Sequence, residues 1–218
     1  MPRAPVNPRK LLTVLGLAVG LAGLILQLYV SIPAYLAAGR DLPGALGAFF
    51  AYYTILTNCA LVLIYLSEVL PSARLEYFRH PVVRASMAAC ILLVSIYVFF
   101  VLRFLYAFTG LSQLADTLLH YVAPLVYLIW WVIAQPHGLL SWTNLPIMLA
   151  PTLIYFFVVM LRGAWVHEYP YPFMNAAELG YPSVLIGALI LAAGLAALAA
   201  LIIGLDRALS RNWNLVRD

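Results

Sequence analysis

Long apolar runs separated by short polar connections make up most of this chain. Six of them come close to or exceed the roughly 20 residues that a helix needs to cross a bilayer. They cover residues 11–38, 46–70, 83–108, 116–131, 142–161 and 183–205. Because backbone amides in lipid must be paired within their own segment, we expect helices rather than strands. The pattern predicts an all-α integral membrane protein with a single six-transmembrane-helix bundle, one domain over residues 1–218.

The composition supports the same class of protein. Hydrophobic residues form 65% of the chain and charged residues only 9%, against roughly 25% charged residues in an average soluble protein. The net charge of +4 comes from arginines in connections and termini, so we expect it to report membrane orientation and not nucleic-acid binding. The first run exceeds the ~7–15-residue core of a signal sequence, so we interpret it as a retained span.

The Lys and Arg residues are distributed unequally between the two sides of the predicted bundle. Six spans place both termini on one side, which receives nine of the 12 basic residues, while the other side receives three. Cytoplasmic loops carry the excess of such residues, so we expect both termini in the cytoplasm. The three are Arg40, Arg103 and Arg162; the nine are Arg3, Arg9, Lys10, Arg74, Arg79, Arg84, Arg207, Arg211 and Arg217.

A single histidine, His120, lies within the fourth apolar run. An ionisable side chain inside a bilayer is costly and is a functional-site hypothesis by default. Asp116 precedes His120 by four residues, so the two share a helix face, and the carboxylate could orient the ring as the third member of a catalytic triad does.

Thr54, Thr57 and Asn58 share one face of the second run, at spacings of three and four residues. Counting about 1.5 Å per residue from the outer ends of the spans places Thr54, His120 and Arg103 in one layer of the outer leaflet. A neutral imidazole is the usual base that activates a threonine hydroxyl. Asn58 or Arg103 could donate hydrogen bonds to an oxyanion.

The same residues also have structural interpretations. Threonines in membrane helices usually donate to the carbonyl four residues back, and an intramembrane histidine often joins two helices by a hydrogen bond. Arg103 could extend to the interface, Asp116 could cap the fourth helix, and the aromatic residues of the 162–182 connection could form an interfacial belt. The remaining histidines, His80, His137 and His167, fall in connections, so we expect no metal and no cofactor.

The sixth run consists almost entirely of Ala, Leu, Ile and Gly. Its Gly187, Gly194 and Gly204 would let a neighbouring helix approach closely, including the same helix of a second copy in a homodimer. The chain has no internal repeat, which counts against a transporter built from inverted halves.

Several segments resemble the androgen-induced-gene family of multi-pass membrane proteins, most closely its bacterial six-span branch. They are Thr-Ile-Leu-Thr-Asn at 54–58, Leu-His-Tyr-Val-Ala-Pro-Leu-Val-Tyr at 119–127, Gly-Ala-Trp at 163–165 and Tyr-Pro-Tyr-Pro-Phe at 169–173. Animal members of this family are intramembrane threonine hydrolases of fatty acid esters of hydroxy fatty acids. The resemblance implies Thr54 as nucleophile, with Thr57 as the alternative one turn away, and His120 as base, in a bacterial inner-membrane protein.

We therefore expect an ester hydrolase whose partner is a membrane lipid or fatty acyl ester. Its pocket would open to lipid near the outer leaflet, with the 162–182 connection as a lid. Tyr127, Trp131, Tyr171 and Phe173 are the predicted substrate-binding residues. The alternative is a non-catalytic lipid-binding or scaffold membrane protein in which the polar cluster only joins helices.

Overall fold

The computed structural model describes residues 7–105 and 107–215, with side chains up to residue 210. All regular structure in this part of the chain is helical, which confirms the all-α prediction. The helices are α1 (Pro8–Ala37), α2 (Leu42–Phe50), α3 (Tyr53–Val69), α4 (Pro81–Phe100), α5 (Gly110–Thr117), α6 (Ala123–Ala134), α7 (Leu145–Val166) and α8 (Ala176–Leu215). Arg3 and Arg217, which enter the orientation prediction, lie outside the described residues.

Shorter turns of helix join these elements. A π-helical turn, Leu118–Val122, connects α5 to α6, and 3₁₀ turns cover Ala73–Arg79, Leu102–Phe104, Trp142–Asn144 and Pro172–Met174. Within the described residues, five helical stretches are long and apolar enough to cross a membrane. The bent pair of α2 and α3 would make a sixth.

The second predicted span is not continuous. α2 ends at Phe50, α3 begins at Tyr53, and their axes differ by 79°. Tyr52 between them has an extended backbone, and the Tyr155 hydroxyl donates to the carbonyl of Ala51 at 2.9 Å. The expectation of one helix over 46–70 is therefore wrong, and Thr54 lies in the first turn of α3 instead of two turns inside a span.

The fourth span contains a π-helical turn at His120. Pro124 has no N–H and so leaves the carbonyl four residues earlier, that of His120, without its α-helical donor. Ser95 on α4 replaces that donor, because its hydroxyl donates to the His120 carbonyl at 2.8 Å. The Asn58 amide similarly donates to the Leu119 carbonyl at 3.2 Å. Side chains from two other helices therefore hold the backbone that carries the imidazole.

Glycines on α1 allow it to lie close to its neighbours. A Cβ atom at Gly16 would come 2.1 Å from the Tyr65 ring, and one at Gly23 would come 2.8 Å from the Leu119 side chain. The glycines of the sixth predicted span behave differently, since a Cβ at Gly187 or Gly194 would meet nothing within 4 Å. Glycines therefore allow close approach on α1, whereas the glycines of α8 do not lie at its contacts with other helices of this chain.

The helix ends near the predicted site also differ from expectation. α4 ends at Phe100, so Arg103 lies in the 3₁₀ turn Leu102–Phe104, at the last residues of the helical stretch that is long and apolar enough to span a membrane. α8 begins at Ala176 and bends at Gly180, whose φ of 73° is rarely adopted by other residues. With α7 reaching Val166, the connection is shorter than the predicted 162–182. We call residues 167–175 the lid connection.

Candidate functional site

Thr54, His120 and Asp116 form a hydrogen-bonded chain. The Thr54 Oγ1 lies 3.2 Å from the His120 Nε2, and the His120 Nδ1 lies 2.8 Å from the Asp116 Oδ1. Because a carboxylate can only accept, Nδ1 carries the proton and Nε2 offers a lone pair to the Thr54 hydroxyl. This is the arrangement of a nucleophile, a base and an orienting acid.

Local structure explains how three residues from two helices meet. Asp116 lies in the last turn of α5 and His120 one turn further, so they share a face, and Asp116 is not the cap of its helix, which is Thr109. Thr54 is mostly buried, with 7% of its surface exposed, whereas the His120 and Asp116 side chains are 17% and 23% exposed. The hydroxyl is therefore shielded while the acid and base remain accessible from one side.

The other two polar residues of the second run have structural contacts. The Thr57 hydroxyl donates to the Tyr53 carbonyl at 2.9 Å, which is the back-bonding expected of a threonine inside a helix. The Asn58 amide donates both to the Thr54 carbonyl at 2.9 Å and to the Leu119 carbonyl. Asn58 therefore joins the helix that carries Thr54 to the turn that carries His120, and its N–H groups are already engaged rather than directed at an oxyanion.

Two cavities meet at Thr54. The larger, of about 570 Å³, is lined by Thr54, His120, Asp116 and Arg103 together with other polar side chains. The smaller, of about 110 Å³, lies among α4, α7 and α8 and is almost wholly apolar. Thr54 and Tyr171 line both cavities, so the candidate nucleophile stands at their junction.

Tyr171 brings the lid connection into contact with Thr54. Burial raises the pKa of the Tyr171 hydroxyl, and hydrogen bonds with the Thr54 side chain and with the backbone N–H groups of Thr54 and Tyr53 partly oppose that effect. These N–H groups belong to the first turn of α3, where an α-helix leaves its amides without intrahelical acceptors. The Tyr171 hydroxyl therefore lies beside the first turn of α3, the turn that carries Thr54.

Ion pairs hold the lid connection to the rest of the bundle. The Glu168 carboxylate contacts Arg40, in the turn between α1 and α2, at 2.8 Å and Arg162, at the end of α7, at 3.4 Å. The hydrogen bond from Arg40 is the main cause that lowers the pKa of Glu168 below its ordinary value, and Arg162 adds to it. One carboxylate therefore ties the lid connection to two separate helix ends.

Arg103 lines the larger cavity. Its guanidinium lies over the rings of Phe99 and Phe104, at 4.1 and 4.6 Å from their centroids. The side chain is exposed, and no described carboxylate lies within ion-pair distance of it. A cation facing this chamber is suited to an anionic or carbonyl oxygen of a bound molecule.

Two of the four predicted substrate-binding residues lie away from the cavities. Tyr127 is fully buried and donates to the Arg84 carbonyl at 2.9 Å, and Trp131 is 3% exposed and packs in the core beside the Arg84 end of α4. They share a face with His120 but stand about 10 and 16 Å further along the helix. Neither residue lines either of the two cavities at Thr54. Tyr171 and Phe173, in contrast, both line the smaller cavity.

Sequence reasoning missed Ser95 and Gln113. Ser95 is the donor to the His120 carbonyl, and Gln113 lines the larger cavity beside Asp116. Ser95 is a polar residue within an apolar run, which is a signal in the sequence, but the run does not show which residue it contacts. Among the described residues, no three His, Cys, Asp or Glu side chains gather where they could hold a metal ion.

No family model, curated protein or solved structure matches this chain. The resemblance to the androgen-induced-gene family therefore remains a prediction from the residues quoted above.

Proposed function

We propose that this protein is an intramembrane hydrolase of lipid esters, of the kind in which a fatty acid esterifies a hydroxy fatty acid. The observation that carries the proposal is the Thr54 Oγ1 to His120 Nε2 contact of 3.2 Å at the wall of a 570 Å³ cavity. The Asp116 carboxylate on the second ring nitrogen completes the arrangement.

The reaction has two balanced steps. The Thr54 oxygen attacks the ester carbonyl while His120 Nε2 takes the hydroxyl proton, and the tetrahedral intermediate expels the alkoxide, which receives that proton from His120. The products are the alcohol and an ester between the acyl group and Thr54. A water molecule then attacks this acyl-threonine, giving a proton to His120, which returns it to the Thr54 oxygen as the fatty acid leaves.

The first turn of α3 supplies the donors for the oxyanion. The N–H groups of this turn have no intrahelical acceptors, so in this proposal they donate to the oxyanion, and the Tyr171 hydroxyl lies beside them. Tyr171 must therefore move aside, or donate its own proton to the oxyanion, when substrate binds. Either role makes the lid connection part of the catalytic cycle.

Isosteric substitutions one turn apart test this proposal. We expect Thr54→Val and His120→Gln to lower turnover of a palmitic acid ester of hydroxystearic acid by about a thousandfold or more in purified protein. Thr57→Val is the matched control, because it makes the same change in the same helix, and we expect it to retain turnover. Equal turnover in the wild type and in all three variants would remove Thr54 and His120 from the reaction.

The second candidate is a non-catalytic lipid-binding or scaffold protein. The bonds from Asn58 and Ser95 to carbonyls beside His120 favour it, because they show that the polar cluster also joins three helices. This function predicts that His120→Gln lowers the unfolding temperature in detergent while no ester is hydrolysed by the wild type.

We further propose that the protein lies in the plasma membrane, of a bacterium if the resemblance holds, with both termini in the cytoplasm. The nine-to-three distribution of basic residues supports this orientation. It places the Thr54 site near the outer face. The outward face of α8, where Gly187 and Gly194 meet no neighbour, is then free for a second copy in a homodimer.

A further inference from the structure

The smaller cavity has a lining that suits hydrocarbon and little else. Two of its tyrosine hydroxyls are paired with protein: the Tyr53 hydroxyl bonds the Thr152 hydroxyl, and the Tyr155 hydroxyl donates to the Ala51 carbonyl. What remains exposed to the cavity is mostly Leu, Val, Phe and Ala surface. A polar group placed there would lose its hydration without gaining a hydrogen bond.

The cavity also begins at the reacting atom. Thr54 and Tyr171 form its end next to the larger chamber, so a group bonded to the carbonyl under attack extends directly into one of the two spaces. The volumes differ about fivefold, and only the larger space is lined by charged side chains. The two sides of an ester bond therefore meet two different environments.

From this asymmetry we infer that the smaller cavity is the acyl subsite and that the larger chamber receives the alcohol part of the ester. This inference rests on the proposed hydrolase function and names which half of the substrate each space takes. A straight, unbranched acyl chain fits the narrow apolar space, while a bulky or anionic alcohol part fits the chamber that contains Arg103.

The size of the cavity limits how much of the chain it encloses. A cavity of about 150 Å³ holds one benzene ring, so on the same scale a cavity of 110 Å³ encloses about four acyl carbons. Ala188 and Ala192, one turn apart on α8, contribute only methyl groups to this wall, and both are partly exposed. Carbons beyond about the fourth then lie outside the cavity.

Three specificities follow. A branch on the carbon next to the carbonyl should be rejected, because it widens the chain where the space is enclosed. Chain length beyond the enclosed carbons should matter little to the wild type. Changes in the alcohol should be tolerated more readily than changes in the acyl group.

A large side chain introduced into the lining of the smaller cavity tests its assignment as the acyl subsite. With acetyl, butyryl, octanoyl and palmitoyl esters of one hydroxystearic acid, Ala192→Phe should keep hydrolysis of the acetyl ester within about twofold and lower that of the palmitoyl ester by at least about tenfold. Ala193→Phe, on the exposed side of the same helix, is the matched control and should keep the wild-type profile. If Ala192→Phe lowered the hydrolysis of all four esters equally, or did not lower the hydrolysis of any, the assignment of the smaller cavity to the acyl group would be overturned.

A binding measurement separates this inference from the proposed function. Palmitic acid carrying a photoreactive diazirine on its chain should crosslink to α7 and α8 in the wild type and in Ala193→Phe, and crosslink far less in Ala192→Phe. If no ester is hydrolysed but this pattern holds, the hydrolase proposal fails and the apolar subsite stands. Crosslinking that is unchanged in Ala192→Phe overturns the subsite itself.

Discussion

Asn58 shows how one buried side chain positions the two reacting residues. It is completely buried, and its amide N–H groups bond the Thr54 carbonyl and the Leu119 carbonyl, next to His120. Its Oδ1 has no partner among the described atoms. The residue therefore contributes through the N–H donors that span two helices.

We predict that Asn58→Asp is more damaging than Asn58→Ala, because it replaces the NH₂ group that makes both bonds by an oxygen that faces two carbonyl oxygens. Leaving a buried carbonyl unpaired costs about 1–3 kcal/mol, so both variants should unfold at lower temperature in detergent. At a temperature where both variants are still folded, their turnover should also be lower than that of the wild type. Unchanged unfolding temperature and unchanged turnover in both variants would exclude a positioning role.

At this scale, helical spacing predicted some contacts and not others. The four-residue interval brings Asp116 to His120. Thr54 contacts His120 as expected, but the count of helical rise that led to this expectation assumed a continuous second span, which the bend between α2 and α3 interrupts. Helical spacing shows which residues share a face but not what that face contacts at each level of the bundle. Tyr127 and Trp131 share a face with His120, yet they pack in the core. The polar contacts of Ser95 depend on which helices are neighbours, and a single sequence does not report that.

The lid connection is the element whose attachment depends on charge. The hydrogen bond from Arg40 lowers the pKa of the Glu168 carboxyl most, and Arg162 lowers it further. Because the pKa of Glu168 is lowered in the attached state, its ion pairs stabilise that state fully at pH values above its ordinary pKa, near 4.5. This stabilisation is lost as the pH falls through the lowered pKa. The attachment should therefore hold at neutral pH and weaken under acidic conditions.

We predict that Glu168→Gln increases amide hydrogen exchange in residues 167–175 at neutral pH, with exchange expressed relative to intrinsic rates. The wild type should approach the variant as pH falls below about 4.5. Glu178→Gln, on the exposed first turn of α8, changes the same side chain outside this ion pair and should exchange as the wild type does. Equal protection of the lid connection in all three proteins at neutral pH would contradict the attachment.

The hydrophobic pattern located the long apolar helices, because a membrane-spanning helix needs about 20 apolar residues. It did not locate the irregular backbone within two of the predicted spans. The break between α2 and α3 is absent from the hydrophobic pattern, since Ala51 and Tyr52 are as compatible with a span as their neighbours. The π-helical turn at Leu118–Val122 has one visible cause, Pro124, but its donors come from elsewhere in the fold. Both irregularities lie at the candidate site, which is where such departures are frequent.

On the scale of the whole molecule, the apolar runs predicted the all-helical architecture, and five or six helical stretches among the described residues are long and apolar enough to span a membrane. The apolar runs could not predict the cavities, because empty space depends on how side chains from several helices fill the volume between them. The two chambers at Thr54 are bounded by residues from seven of the eight helices and from the lid connection. Function therefore depends on packing that only the three-dimensional structure makes visible.

The orientation of the bundle is also a prediction at this scale. Ala38→Cys lies at the end of the bundle that carries the site, and Ala208→Cys lies at the opposite end, close to the C-terminus. In intact cells, a membrane-impermeant thiol reagent should label Ala38→Cys, and it should reach Ala208→Cys only after permeabilisation. The reverse pattern would place the site on the cytoplasmic face.

Covalent labelling of Thr54 is the most direct measurement of the central claim, that His120 makes this hydroxyl a nucleophile. A lipid-like β-lactone should acylate the wild type and Thr57→Val, with the adduct mapped to Thr54 by peptide mass spectrometry. Thr54→Val and His120→Gln should carry no adduct. An adduct on Thr57, or equal labelling of His120→Gln and the wild type, would contradict the account.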